Sequence, residues 1–237
     1  MAKKSKKYEK KNGNEKQQKE DKSMPVQEKA AFDKLPKDVQ EKLKAIKTKL
    51  DKFQKQALEK FDKYIAGITL LPPPKPEEQK EQKPEDKDKI NVLVLVDDSD
   101  SRKMSKFELK DKLSAIIGNI AQEIDKNLVP QTVILSELWQ NCYDAKYELL
   151  QLIAMSAPIF DRGMLAAIKI AEVHKTMVLK KFEKYIISYV LAGSLVQGRA
   201  TPTSDIDVWV VIDDTDVKKM TRAELKDKLR AIIIGMG

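Results

Sequence analysis

Residues 90–117, INVLVLVDDSDSRKMSKFELKDKLSAII, and residues 206–233, IDVWVVIDDTDVKKMTRAELKDKLRAII, are identical at 17 of 28 positions without a gap. Upstream, FDKYIAGITLL (61–71) corresponds to FEKYIISYVLA (182–192) at a slightly different offset. A chain that writes one unit twice must bury that unit's apolar residues twice, so each copy constrains the other. No other feature limits the fold as much.

Both copies read alike. An amphipathic helix comes first, with Leu43, Ile46, Leu50, Phe53, Phe61 and Ile65 on one stripe; its counterpart spans about 164–187. A short strand follows at 66–71 or 188–192, then a variable connection, then an apolar strand at 91–96 or 206–212. The next helix starts with a capping box in each copy, Ser105 with Glu108 and Thr221 with Glu224. The first copy continues through a strand, QTVIL (131–135), a helix, SELWQNCYDAKYELLQLIAMSA, and PIFDRG (158–163). The second stops at Gly237, inside or just after its second helix, which leaves it incomplete. The expected fold class is α/β (α+β): two tandem units, with mixed sheets flanked by helices. The expected domains are a tail over 1–33, a first unit over 34–163 and a second over 164–237.

Composition narrows the setting. The chain has 237 residues, enough to bury a real core in one or two domains. No apolar run approaches the roughly 18 residues of a membrane span, and no apolar segment follows the N-terminal lysines as a secretory signal requires. Cys142 stands alone, which excludes an internal disulfide and a cysteine-based metal cluster. A cytoplasmic location follows. The net charge of +8 is concentrated in MAKKSKKYEKKNGNEKQQKEDKSM, which is too poor in apolar residues to order itself. Such a tail can make weak contact with nucleic acid through phosphate neutralisation. Its lysines are diluted by acidic residues and have no aromatic partners, so a solubilising role is the favoured reading.

The chemistry concentrates in the second copy's connection, AGSLVQGRATPTS, and the strand after it. Gly193 and Ser194 end a strand and open a short helix, where glycine allows close backbone approach and the hydroxyl adds a donor. With a period of two, Asp205 and Asp207 project from one face while Ile206, Val208 and Val210 bury on the other. Aspartate is disfavoured in strands, and like charges on one face repel. Same-face neighbours lie roughly 7 Å apart, a separation that suits carboxylates bracketing divalent ions about 3.5–4 Å apart. The pair reads as a magnesium site beside a phosphate cradle.

The stretch GSLVQGRATPTSDIDVWVV resembles the DNA polymerase beta-like nucleotidyltransferase superfamily, whose signature is a Gly-Ser turn followed by Asp-x-Asp on the next strand. Gly198 and Ser204 belong to the extended form of that pattern. The resemblance implies the polymerase beta-like fold, with Gly193 and Ser194 on the triphosphate of an NTP and two magnesium ions on Asp205 and Asp207. An acceptor hydroxyl would attack the alpha-phosphate and expel pyrophosphate. Arg199 can neutralise phosphate charge, and Ser204 is placed with the nucleotide-binding set. The superfamily also supplies a third carboxylate from a later strand, which by comparison with QTVIL falls about ten residues past Gly237. In the first copy the connection PPPKPEEQKEQKPEDKDK has no Gly-Ser turn, and Lys89 and Asn91 replace Asp205 and Asp207. That copy is read as catalytically dead.

Other features read as structural. DDSD (97–100) and DDTD (213–216) lack the glycine and distal glutamate of a calcium loop and read as solvated turns. His174 falls in an amphipathic helix as a surface or edge residue, and Trp139, Cys142 and Tyr143 belong to a helix packed on the first copy's sheet. The proline-rich connection reads as a flexible loop. Two functions remain: nucleotidyl transfer to an unidentified hydroxyl-bearing acceptor, or a non-catalytic nucleotide-binding or antitoxin-like module of the same fold. The incomplete second unit is also expected to self-associate through an open sheet edge.

Overall fold

A computed structural model describes residues 35–73, 88–101, 104–199, 201, 203–215 and 220–236. The tail over 1–33 and most of the proline-rich connection lie outside the described residues. The chain divides into two compact units, residues 1–44 and 45–237. Of the first, 35–44 are described: they enter helix α1 (Lys37–Phe61), whose opening turn is closed by the Val39 and Gln40 amides on the Pro36 carbonyl at 3.0 Å.

The larger unit carries the rest of α1, with Leu50, Phe53 and Ala57 buried at three- and four-residue steps. Strands β1 (Ile65–Leu70), β2 (Ile90–Val96), β3 (Leu128–Ile134) and β4 (Ala157–Asp161) form one mixed sheet in the order β3-β2-β1-β4. Helix α2 (Lys106–Ile124) connects β2 to its parallel neighbour β3, while β1 runs antiparallel to β2 and β4. Alternation along β2 divides the core. Val92, Val94 and Val96 join Phe53, Ile117 and Ile120 on one face. Leu93 and Leu95 join Leu138, Ile153, Leu165 and Ile168 on the other. A sheet buried on both faces needs a continuous apolar run, and INVLVLV supplies it.

Three expectations differ from the structure. The helix expected from SELWQ to AMSA is two helices, α3 (Leu135–Tyr143) and α4 (Glu148–Met155). The break falls at Ala145, whose φ of 59° lies in the left-handed region that ends helices. Splitting there lets Leu138 and Ile153 enter the same core cluster, with Trp139 and Cys142 packed against it. Tyr143, expected in that packing, is exposed. Strand β3 also starts earlier than QTVIL and contains Pro130, which an edge strand tolerates. The segment 158–163 supplies β4 and then Asp161, whose carboxylate accepts the Gly163, Leu165 and Ala166 amides at 2.9 Å as α5 (Met164–Phe182) begins.

Strands β5 (Ile186–Ala192) and β6 (Asp207–Ile212), joined through the four-residue helix α6 (Gly193–Val196), form a separate antiparallel sheet followed by α7 (Arg222–Ile234). This hairpin is built like β1–β2. The Tyr64 and Tyr185 amides bond the Phe61 and Phe182 carbonyls, and the Asp97 and Asp213 amides return to Tyr64 and Tyr185. Each ladder shifts register at the same point, between Ile65 and Gly67 or between Ile186 and Ser188. The capping boxes differ. Thr221 and Glu224 form both reciprocal bonds, whereas Ser105 accepts only the Glu108 amide. Glu108 instead pairs with Lys112 at 2.9 Å, which corrects the expectation of two complete boxes.

The second sheet is sparsely covered. Among the described residues β5 and β6 pair only with each other. Val208, Val210 and Ile212 line an open groove of about 860 Å³ with Leu225, Leu229 and Ile233 of α7. Of their sequence counterparts, Val92, Val94, Val96, Leu113 and Ile117 are buried and Leu109 is half-buried.

Candidate functional site

The site is built where β5 ends. Ala192 pairs with Asp207 as the last rung of the β5–β6 ladder, and the chain turns directly into α6. Gly193 has a φ of +72°, a conformation that penalises side chains. A Cβ at that position would meet Asp207 Oδ2 at 1.9 Å and its Cγ at 2.9 Å. Only glycine therefore lets the Asp207 carboxylate lie over the start of the turn. The two residues are fourteen positions apart along the chain, yet they are in contact.

Exposure alternates from Ser204 to Ile212, with Asp205 and Asp207 exposed and Ile206 and Val208 half-buried. Ile206 packs against the core cluster that contains Leu93 and Leu95. Asp205 lies just before β6, which begins at Asp207, one residue later than expected. Neither carboxylate accepts a hydrogen bond or ion pair from any residue of the described structure. Two unpaired carboxylates are hard oxygen donors of the kind that hold magnesium, whose other positions are filled by water and phosphate oxygens. They fit such an ion. Among the described residues no cluster of three or more His, Cys, Asp or Glu side chains is placed to hold a metal, so a third carboxylate is not supplied there.

The remaining candidates are placed as follows. Ser194 is half-buried; its carbonyl accepts the Arg199 amide at 2.9 Å. The Arg199 guanidinium bonds the Gln197 side chain and makes no ion pair with Asp205 or Asp207. Ser204 closes its own turn: its hydroxyl accepts the Thr201 amide at 2.8 Å and lies 2.9 Å from the Thr201 hydroxyl. The structure thus brings Gly193 and Asp207 together and leaves Arg199 and Ser204 engaged in local bonds. Burial pushes the Cys142 thiol above its usual range, which disfavours a thiolate nucleophile.

His174, expected at a surface or edge, is instead a half-buried tie. Its Nδ1 lies 2.8 Å from the Tyr189 hydroxyl and its Nε2 3.0 Å from the Ile233 carbonyl. A carbonyl only accepts, so Nε2 donates to Ile233, while the Tyr189 hydroxyl also lies 3.4 Å from the Ala171 carbonyl. His174 stands eight residues before Phe182, as buried Phe53 stands before Phe61. The pattern of apolar residues could not show this link, because it joins α5, β5 and α7.

Burial, and secondarily the charge of Glu172, push the Tyr189 hydroxyl up to about 12. A raised pKa means the folded state holds its proton more tightly. The associated stability is fully present below the unfolded value of about 10 and is lost as pH rises through the folded one. Urea midpoints at about pH 9 and about pH 11.5 should therefore fall more steeply for the native chain than for Tyr189→Phe. Equal slopes would show that Tyr189 does not titrate with unfolding.

Among the described residues no helix is long and apolar enough to cross a membrane. No curated protein and no solved structure gives a significant match to the chain. The α+β arrangement, with sheets flanked by helices, is consistent with a polymerase beta-like fold. Residues 172–233, which hold Gly193, Ser194, Asp205 and Asp207, match the family model of the nucleotidyltransferase domain.

Proposed function

We propose that residues 164–237 carry the nucleotide-binding and metal-binding half of a nucleotidyltransferase site, and that residues 34–163 are a degenerate copy of the same unit. The observation that carries the reading is the contact of Gly193 with the Asp207 carboxylate, beside a second unpaired carboxylate on Asp205. The match over 172–233 supports nucleotidyl transfer as the general activity. The duplication is supported by the shared register shifts and the shared Tyr64 and Tyr185 bonds.

In this reading Asp205 and Asp207 hold magnesium, and the Ser194 hydroxyl and the backbone of the Gly193 turn meet the triphosphate. The ions supply neutralisation of phosphate charge and activation of the attacking oxygen. The chain's own contribution is placement: Gly193 leaves room for phosphate against the backbone, and Ile206 anchors the strand that presents both aspartates. The acceptor is a hydroxyl-bearing molecule; its oxygen bonds to the alpha-phosphorus as the bond to pyrophosphate breaks. The first copy lacks this chemistry. Leu71 bonds the Asn91 carbonyl at 2.9 Å as Ala192 pairs with Asp207, which puts Asn91 in place of the metal ligand and Pro72 in place of Gly193.

A non-catalytic module of the same fold is the second reading, favoured by the lack of a third acidic ligand among the described residues. Incubation with each alpha-labelled NTP and magnesium, with pyrophosphate release as the readout, separates the two. Magnesium-dependent release supports the transferase. Saturable binding of Mg-ATP without release supports the module, and no binding at all removes both.

A further inference from the structure

The first copy, degenerate in the reading above, forms the seat of the candidate nucleotide turn. Leu195, in the middle of α6, is 1% exposed. It is buried in the cluster formed by Leu93 and Leu95 of β2, Val133 of β3, and Leu135 and Leu138 of α3. Three residues on, Gly198 has a φ of +71°, and a Cβ there would lie 3.1 Å from Leu135 Cδ1 and 3.5 Å from Asp97 Oδ1. The turn that begins at Gly193 is thus pinned at its middle and its end by side chains more than fifty residues earlier in the chain.

The surface it rests on is itself fixed. The Asp97 amide bonds the Tyr64 carbonyl at 2.7 Å, and the Asp97 carboxylate accepts the Ser99 amide at 2.9 Å. Asp98 accepts both the amide and the hydroxyl of Ser136, at 3.0 and 2.5 Å, which locks the end of β2 to the start of α3. Lys110 reaches Glu137 at 2.7 Å from α2. In the second copy the corresponding Asp214 is paired instead with Arg222 of its own helix. The DDSD turn, read from sequence as solvated, is a structural joint.

We propose that the first copy is retained as the platform of the second copy's site: Leu135 and Asp97, fixed by the Asp98–Ser136 joint, position the Gly193–Arg199 turn by clamping Leu195 and Gly198. These are positioning residues, acting through the turn. The inference depends on the nucleotide reading above only for what the turn binds. A flexible Gly-containing turn would lose conformational freedom on meeting phosphate, whereas a turn clamped beforehand has already lost it. The apolar clamp therefore sets nucleotide affinity without touching nucleotide.

The test uses the full chain, with hydrogen exchange over 193–199 read against 206–212 in the same molecule, and Mg-ATP titration beside it. Leu135→Ala should raise exchange over 193–199 at least about tenfold and weaken Mg-ATP by a similar factor, while Leu135→Met preserves both. Ile120→Ala, a comparable deletion in the core on the opposite face of the sheet, should lower the melting temperature and change neither. Should Leu135→Ala fail to fold, Gly198→Ala presses on the clamp from the other side and is read in the same way. Unchanged exchange over 193–199, or an equal response to Ile120→Ala, overturns the proposal. If exchange responds as stated but the native chain does not bind Mg-ATP, the clamp stands and the nucleotide reading fails.

Discussion

Asp207→Asn should weaken magnesium-dependent NTP binding at least about a hundredfold, because loss of even an outer-shell partner of a metal ligand typically costs 10–100-fold. The same variant should melt no lower than the native chain in metal-free buffer. Asp207 has no hydrogen-bond or ion-pair partner among the described residues, and it shares the solvent side with Asp205. Its charge therefore contributes repulsion rather than stability until a cation arrives. Asp205→Asn should behave alike. Melting curves with and without magnesium read both effects, and equal stabilisation of native and variant chains by magnesium would remove the metal assignment.

Gly193→Ala should damage the same site by a different route. A side chain at φ +72° costs about 1–3 kcal/mol of strain. The new methyl group would also overlap the Asp207 carboxylate at 1.9 Å, so either the carboxylate or the turn must move. The expected result is lowered stability together with loss of magnesium-dependent NTP binding. The two causes can be separated by a double-mutant cycle with Asp207→Ala, since residues in contact are coupled and independent ones are not. In the Asp207→Ala background the added alanine should cost only the strain. A full and additive cost in that background would show that the contact between the two residues is not what excludes a side chain.

Much of this arrangement was legible in one dimension. The repeat of INVLVLV and IDVWVVI, each followed by a capping residue and ELKDKL, placed two strand–helix pairs correctly because local periodicity dictates which face of an element is apolar. The Gly-Ser turn and Asp-x-Asp were legible for a related reason: a glycine before a carboxylate pair signals close approach, and it takes few residues to write. The break at Ala145 was not legible. An alanine is a good helix former, and its left-handed conformation reflects where α3 and α4 must each direct Leu138 and Ile153.

What only the tertiary structure decided is how the copies depend on each other. From sequence the second unit reads as the functional but incomplete half and the first as a catalytically dead duplicate. Burial shows a different division. Trp209 and Val211 are exposed where their counterparts Leu93 and Leu95 are buried, whereas Leu195 is sealed into the first copy's core. Likewise His174 meets the Tyr189 hydroxyl and the carbonyl of Ile233, 59 residues further along the chain, a contact that no spacing rule reaches. Sequence periodicity reports which side of an element avoids water, because that depends on neighbours three or four residues away. It does not report which distant surface fills the space, because close packing is settled by shape once all the elements are present.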